Sequence, residues 1–217
     1  MNGKVLTLAQ QKGGAGKTTL VAQLAVAFAR RGLTVALVDI DPQGSLTRWF
    51  EARRAHAAEP ADGAKALTLT AVNGWRAQTA VDRLKTLADL VLVDSAPHAD
   101  IESKIAVRTA DLIVVPLPLS PLDLWATEPT LALARAENRP ALIVLNRIQP
   151  RTKLAEMFGD RLAALNTAVA LTAIGNRASF AQSMIDGRGV VETAPKSKAA
   201  EEITALADEI MALLAQA

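Results

Sequence analysis

The chain of 217 residues contains no cysteine and no tyrosine, only two histidines, and 3% aromatic residues. Without cysteine it supplies no disulfide, no zinc ribbon and no iron–sulfur ligand, and the absence says little about compartment. Scarce aromatics leave Ala, Leu and Val to fill the interior; half of the residues are hydrophobic, enough for a sizeable core. Charge of one sign is also lacking. The formal net charge is +2, too small to point to a partner by itself. The start MNGKVLTLAQ has no basic segment leading into a long apolar run, and no apolar run reaches membrane-spanning length. These absences predict a soluble, cytoplasmic protein folded as one domain over residues 1–217.

What is present is a rhythm. Short, continuous apolar runs at Val5–Ala9, Thr34–Asp39, Leu67–Val72, Leu90–Asp94, Leu112–Pro116 and Ala141–Asn146 read as buried strands, with a weaker one at Thr167–Leu171. Helical stretches fall between them, at Lys17–Arg31, Gly44–Ala58 and Arg76–Ala88, with an amphipathic helix at Lys198–Ala215. Ser120-Pro121-Leu122-Asp123 carries a cap, a first-turn proline and an acidic third position, and Pro129 predicts a kink further along that helix. Ala57–Ala66 reads as a loose loop. Apolar strands alternating with helices predict an α/β fold, a mostly parallel, doubly wound sheet covered on both faces. Ligands of such sheets bind at the carboxyl ends of the strands. The polar clusters Gln10–Thr19, Asp39–Gln43, Asp94–His98 and Asn146-Arg147 all fall at those ends.

The first cluster carries the chemistry. Gly13, Gly14 and Gly16 let backbone N–H groups converge on phosphate oxygens, and the helix that follows adds a favourable dipole. Lys17 is placed to reach the β- and γ-phosphates of a nucleotide, and Thr18 to ligate Mg²⁺. Lys12 is one cation more than such a loop needs.

The octet Lys12-Gly13-Gly14-Ala15-Gly16-Lys17-Thr18-Thr19 is similar to the deviant Walker A motif of the ParA/MinD family of P-loop ATPases. VDIDPQ from Val38 resembles the family's first switch, LVLVDSAP from Leu90 its Walker B and second switch, and ALIVLNR from Ala141 its base-recognition strand. Arg177, Phe180 and Gly189 extend the likeness toward the carboxyl-terminal part. The resemblance implies an ATPase using ATP and Mg²⁺, with a nucleotide loop of Gly13 through Thr19. It implies that Lys12 contacts the nucleotide of a second subunit in an ATP-bound homodimer. It further implies that Asp41 orients or deprotonates the attacking water, that Thr18, Asp39 and Asp94 serve the metal, and that Asn146 reads adenine.

Within the family, the missing cysteines exclude nitrogenase-reductase types, and the absence of tyrosine excludes kinases with tyrosine-rich tails. Asn146-Arg147-Ile148-Gln149 lacks the aspartate of a guanine signature. After Lys198 come Glu201, Glu202, Asp208 and Glu209 and no basic residue, which disfavours a membrane-binding tail. Residues 147–198 carry eight basic against four acidic side chains. Arg177, Arg188, Lys196 and Lys198 are the candidate contacts to DNA, Arg177 by resemblance and the others by local charge. The first strand starts close to Met1, so the chain resembles the short ParA type, which leaves operator reading to another protein. The function implied is ATP-controlled, sequence-independent DNA binding that positions a plasmid, a chromosome or a protein cluster. A ParB-like or cargo-adaptor partner would stimulate hydrolysis, and the protein would be nucleoid-associated. Two alternatives are a MinD-like membrane ATPase and a metabolic enzyme of the dethiobiotin or cobyrinate synthetase type. His98, beside the second switch, has no assigned role.

Overall fold

The computed structural model describes residues 2–56, 64–97, 101–149 and 157–216. Seven strands form one all-parallel sheet: β1 (Lys4–Leu8), β2 (Val35–Asp39), β3 (Leu67–Ala71), β4 (Leu90–Asp94), β5 (Leu112–Pro118), β6 (Ala141–Asn146) and β7 (Ala168–Val169). Their spatial order is β3-β2-β4-β1-β5-β6-β7. The chain steps outward from β1 in one direction for β2 and β3, returns for β4, then proceeds the other way. That reversal opens a crevice at the carboxyl end of β1.

Side-chain alternation on the strands builds one core on one face of the sheet and two on the other. Leu6, Leu8, Val35, Leu37, Leu92 and Val114 point to one face, where α1 (Lys17–Arg30), α2 (Ser45–His56), α7 (Ala178–Ile185), α8 (Val190–Thr193) and α9 (Lys198–Leu214) pack. Val5, Val38, Val91 and Val93 face α3 (Ala77–Leu84) and α4 (Ile101–Thr109), while Ile113, Val115 and Ile143 face α5 (Pro121–Ala136) and α6 (Gly159–Ala164). α1 is apolar around most of its circumference because it is covered on most sides, and Leu20 through Ala29 are all buried. It ends as its sequence predicts. Gly32, at φ 82°, lets its own N–H reach Ala29 O and Leu33 N–H reach Phe28 O.

The expected elements stand with small shifts of boundary. The helix expected at Arg76–Ala88 splits into a tight turn of 3₁₀ helix, Gly74–Arg76, and the shorter α3. Ser120 caps α5 by accepting from Asp123 N at 3.2 Å, with Pro121 at the first position. α5 then continues through Pro129 as one helix to Ala136. The missing proline N–H costs the helix one bond, and the buried Leu131 and Ala134 beyond it hold the helix to its core. Residues 57–63 of the expected loose loop lie outside the described residues.

Candidate nucleotide-binding site

The loop between β1 and α1 supplies the floor. Gly14 and Gly16 have φ of 80° and 95°, conformations that a side chain resists. Gly16 has a second constraint: a Cβ there would lie 2.5 Å from Asn146 Nδ2. Asn146, at the end of β6, donates from Nδ2 to Ala15 O at 2.7 Å. The side chain expected to read a base therefore also ties the glycine loop to the far side of the sheet. Thr19, Asn146, Arg147, Asn176, Arg177 and Phe180 line the cleft beside that loop. Arg147 holds a positive φ of 57°, a strained state for a bulky residue, and this bends the backbone as it leaves β6 at the cleft.

Lys17 opens α1 and is 7% exposed. Its Nζ donates to Gln10 O at 3.0 Å, which curls the side chain back across its own loop. Burial pushes the Lys17 pKa down, against the carboxylates of Asp94 and Asp41 that pull it up. Parallel pairing of β2 with β4 puts Asp39 and Asp94 in register as neighbours. Thr18 Oγ1 donates to Asp94 Oδ2 at 2.7 Å. The other carboxylate oxygen, Asp94 Oδ1, is buried with no hydrogen-bond partner. Burial pushes Asp94 up to about 7, and the nearby Asp39 charge adds to that, while the Thr18 hydrogen bond and Lys17 oppose it. A buried carboxylate oxygen left unmatched beside a hydroxyl is what a hard divalent cation answers. The residues fit Mg²⁺, and Thr18 and Asp94 are the ones that would hold it.

Asp39 is engaged differently. Its Oδ2 accepts from Thr47 N at 2.9 Å and Thr47 Oγ1 at 2.6 Å, and its Oδ1 accepts from Asp41 N at 3.2 Å. Asp39 thus anchors the loop that carries Asp41. Asp41 opens a tight turn: Gly44 N–H reaches Asp41 O at 2.9 Å, and Asp41 Oδ1 accepts from Gln43 N at 2.9 Å. This turn leaves the carboxyl half-exposed at the rim of the site.

Lys12 sits where sequence reasoning did not look. Its Nζ lies 2.6 Å from Asp123 Oδ1 on the first turn of α5, and the lysine side chain remains 38% exposed. Asp123 was legible only as a helix-capping residue. Its position just past the carboxyl end of β5, beside the glycine loop, is the signal that would have found it. Arg177 Nε and Nη2 donate to the two carboxylate oxygens of Glu202, at 2.9 and 2.5 Å, and Glu202 Oε2 also accepts from Gly175 N. Of the candidate DNA contacts, Arg177 therefore lies in the cleft wall, whereas Arg188, Lys196 and Lys198 are exposed outside it. His98, Arg151 and Lys153 lie outside the described residues.

Backbone amides converging on a helix start answer to phosphate, and the orphaned Asp94 oxygen answers to a cation. Together they make this edge of the sheet a nucleotide site of the P-loop class. The chain belongs to the CobQ/CobB/MinD/ParA nucleotide binding domain family, which it matches over residues 6–190. It is similar to maintenance of carboxysome distribution protein A of Halothiobacillus neapolitanus, 29% identical over 222 residues covering 95% of each chain. It is similar to the chromosome-partitioning ATPase Soj of Thermus thermophilus, 31% identical over 244 residues covering 98% of this chain and 97% of Soj. Its fold matches that of a Cyanothece McdA variant in complex with ATP, with a TM-score of 0.78 at 15% identity over 99% of this chain and 97% of that one.

Proposed function

We propose that this protein is an ATP-driven positioning switch. It is an ATPase of the ParA/MinD family that takes ATP and Mg²⁺, as solved relatives of its fold are seen with ATP or with ADP and magnesium. Dimerisation on ATP, sequence-independent DNA binding, a nucleoid location and release by a stimulating partner are its proposed working cycle, carried by the whole of residues 1–217. The observation that carries the positioning role is the likeness, over 95% or more of this chain, to two proteins named for distributing carboxysomes and partitioning chromosomes.

The geometry supports a role for each residue. The amides of Gly13, Gly14, Ala15, Gly16 and Thr19 cradle phosphates at the start of α1. Lys17 exchanges its bond to Gln10 O for phosphate oxygens, a stronger charge-assisted contact. Bound magnesium supplies neutralisation of the phosphate charge. Thr18 and Asp94 would hold it, and Asp39 steadies the loop beside them. Asp41, at the rim and on a turn that fixes its direction, orients the attacking water and accepts its proton. Asn146 offers its amide oxygen to the base while Nδ2 holds the loop. Lys12 leaves Asp123 to reach the nucleotide of a second subunit. A membrane role is disfavoured because the apolar face of α9, with Ile203, Leu206 and Ile210, is buried against the protein.

Sedimentation with duplex DNA in ATP, in ADP and without nucleotide tests this reading. The expected result is DNA capture in ATP alone, prolonged in Asp41→Ala, which keeps ATP and loses turnover. Capture that is equal in all three states, or absent at low salt, would favour the metabolic or membrane alternative.

A further inference from the structure

A second groove lies away from the nucleotide cleft. β3 is the outermost strand of the sheet, paired with β2 on one side and with no strand among the described residues on the other. An edge strand presents a row of backbone N–H and C=O groups able to pair with another extended chain. α3 buries Ala77 and Val81 against the sheet beneath. Its neighbouring face, with Arg76, Ala80 and Arg83, instead stands beside Thr70 and Val72 from β3 and its end, with a groove between. Trp75 forms one wall and is 61% exposed. The Arg76 guanidinium lies 4.5 Å from the Trp75 ring centroid. The described lining of this groove contains two arginines and no acid. The one acidic side chain of α3, Asp82, faces elsewhere and accepts from Gln78.

The groove also leads somewhere. It shares Val72 and Arg76 with a cleft that continues past Arg48 and Thr47 to Asp41. Only a chain that continued out of the groove and past Glu51 of that cleft would come beside the turn that carries the proposed water-activating carboxylate.

We propose that the β3–α3 groove docks an extended, acidic stretch of a partner protein. The stretch adds a strand to β3, sets an apolar side chain against Trp75 and pairs carboxylates with Arg76 and Arg83. The chemistry is that of strand addition: main-chain bonds to the edge give affinity, and alternate side chains entering the groove give selectivity. Positive charge on the rim with none of the opposite sign selects an acidic occupant over a basic one. The docking claim stands apart from both the DNA-binding and the ATPase readings.

The probe is a fluorescein-labelled peptide, Asp-Thr-Phe-Thr-Glu-Thr-Asp, whose acids and Phe fall on one face of an extended strand, beside a counterpart with lysine at every acidic position. Anisotropy is read at low salt without nucleotide, so failure of the positioning cycle does not affect it. Saturable binding of the acidic peptide alone is expected. Trp75→Ala should weaken it by about tenfold. Replacing Arg76 and Arg83 together by glutamate should reverse the preference toward the lysine peptide, with ATP binding unchanged. Three outcomes overturn the proposal: binding of neither peptide, equal binding of both, or a preference that survives the charge reversal. Nucleotide-free self-association that Trp75→Ala abolishes would also overturn it, by assigning the groove to a second copy of the chain.

Discussion

Lys12 and Lys17 carry the same charge in opposite circumstances. Lys17 is buried and bonded to Gln10 O, so its removal takes away the cation that belongs inside the site. Lys12 is partly exposed and held by an ion pair with Asp123. Lys17→Ala should therefore abolish ATP binding in equilibrium titrations. Lys12→Ala should keep ATP binding by the monomer and lose the ATP-driven dimer in sedimentation; equal loss of nucleotide in both variants would remove the cross-subunit role. Asp94 gives a pH signature. Its folded pKa, about 7, lies above its ordinary 3.8, so between those values the folded chain keeps a proton that the unfolded chain has released. The stability this contributes is complete below the lower value and is lost as pH rises through the upper one. Asp94→Asn removes that loss. Without nucleotide or metal, the variant should melt above the parent near about pH 8 and converge with it near about pH 4, at about 2–4 °C per kcal/mol for a chain of this size. ATP with Mg²⁺ should raise the parent's melting temperature and barely move the variant's.

α2 shows how much of an element its sequence carries. Its start is fixed by Thr47 on Asp39, and its far end is clasped: Arg53 meets both oxygens of Glu192 at 2.9 and 2.8 Å and donates to Gly187 O at 3.0 Å. A Cβ on Gly187 would fall 2.0 Å from Arg53 N, so the two backbones touch where only glycine fits. Both charges are largely buried, with 22% and 11% of their side chains exposed. Glu192→Gln should cost about 2–3 kcal/mol in urea unfolding, because Arg53 is left without its charge partner. Asp208→Asn, which loosens the more exposed pair with Arg31, should cost no more than about 1 kcal/mol. Parity of the two costs would refute this ranking. None of this clasp was legible beforehand, for it joins residues far apart in sequence through the packing of α2 on α7 and α8. The strands were legible because they are apolar on both faces, and the glycine loop because its chemistry is local. Lys12–Asp123 was not, since it depends on β1 and β5 becoming neighbours, nor was Arg177–Glu202, which depends on how α9 packs beside the start of α7.

For the whole molecule, the proposed cycle requires nucleotide state to set DNA affinity. Arg188, Lys196 and Lys198 are exposed, and Lys198 makes a surface pair with Glu201 at 3.3 Å. Arg177 is committed to Glu202 in the cleft wall, so its replacement should disturb the nucleotide site before it disturbs a DNA surface. One subunit offering a few such cations neutralises few phosphates. A two-fold dimer offers twice as many to the same duplex, and the slope of log affinity against log salt scales with the phosphates neutralised. The slope in ATP should therefore be about double any residual slope in ADP. Replacing Arg188, Lys196 and Lys198 together by glutamate should remove DNA binding and leave ATP-driven dimerisation intact. Anisotropy on a labelled duplex across a salt series, with sedimentation of the same samples, measures both. A triple variant that still binds DNA with the parent's slope would move the contact surface to another face. One that no longer dimerises would place these residues in the subunit interface instead.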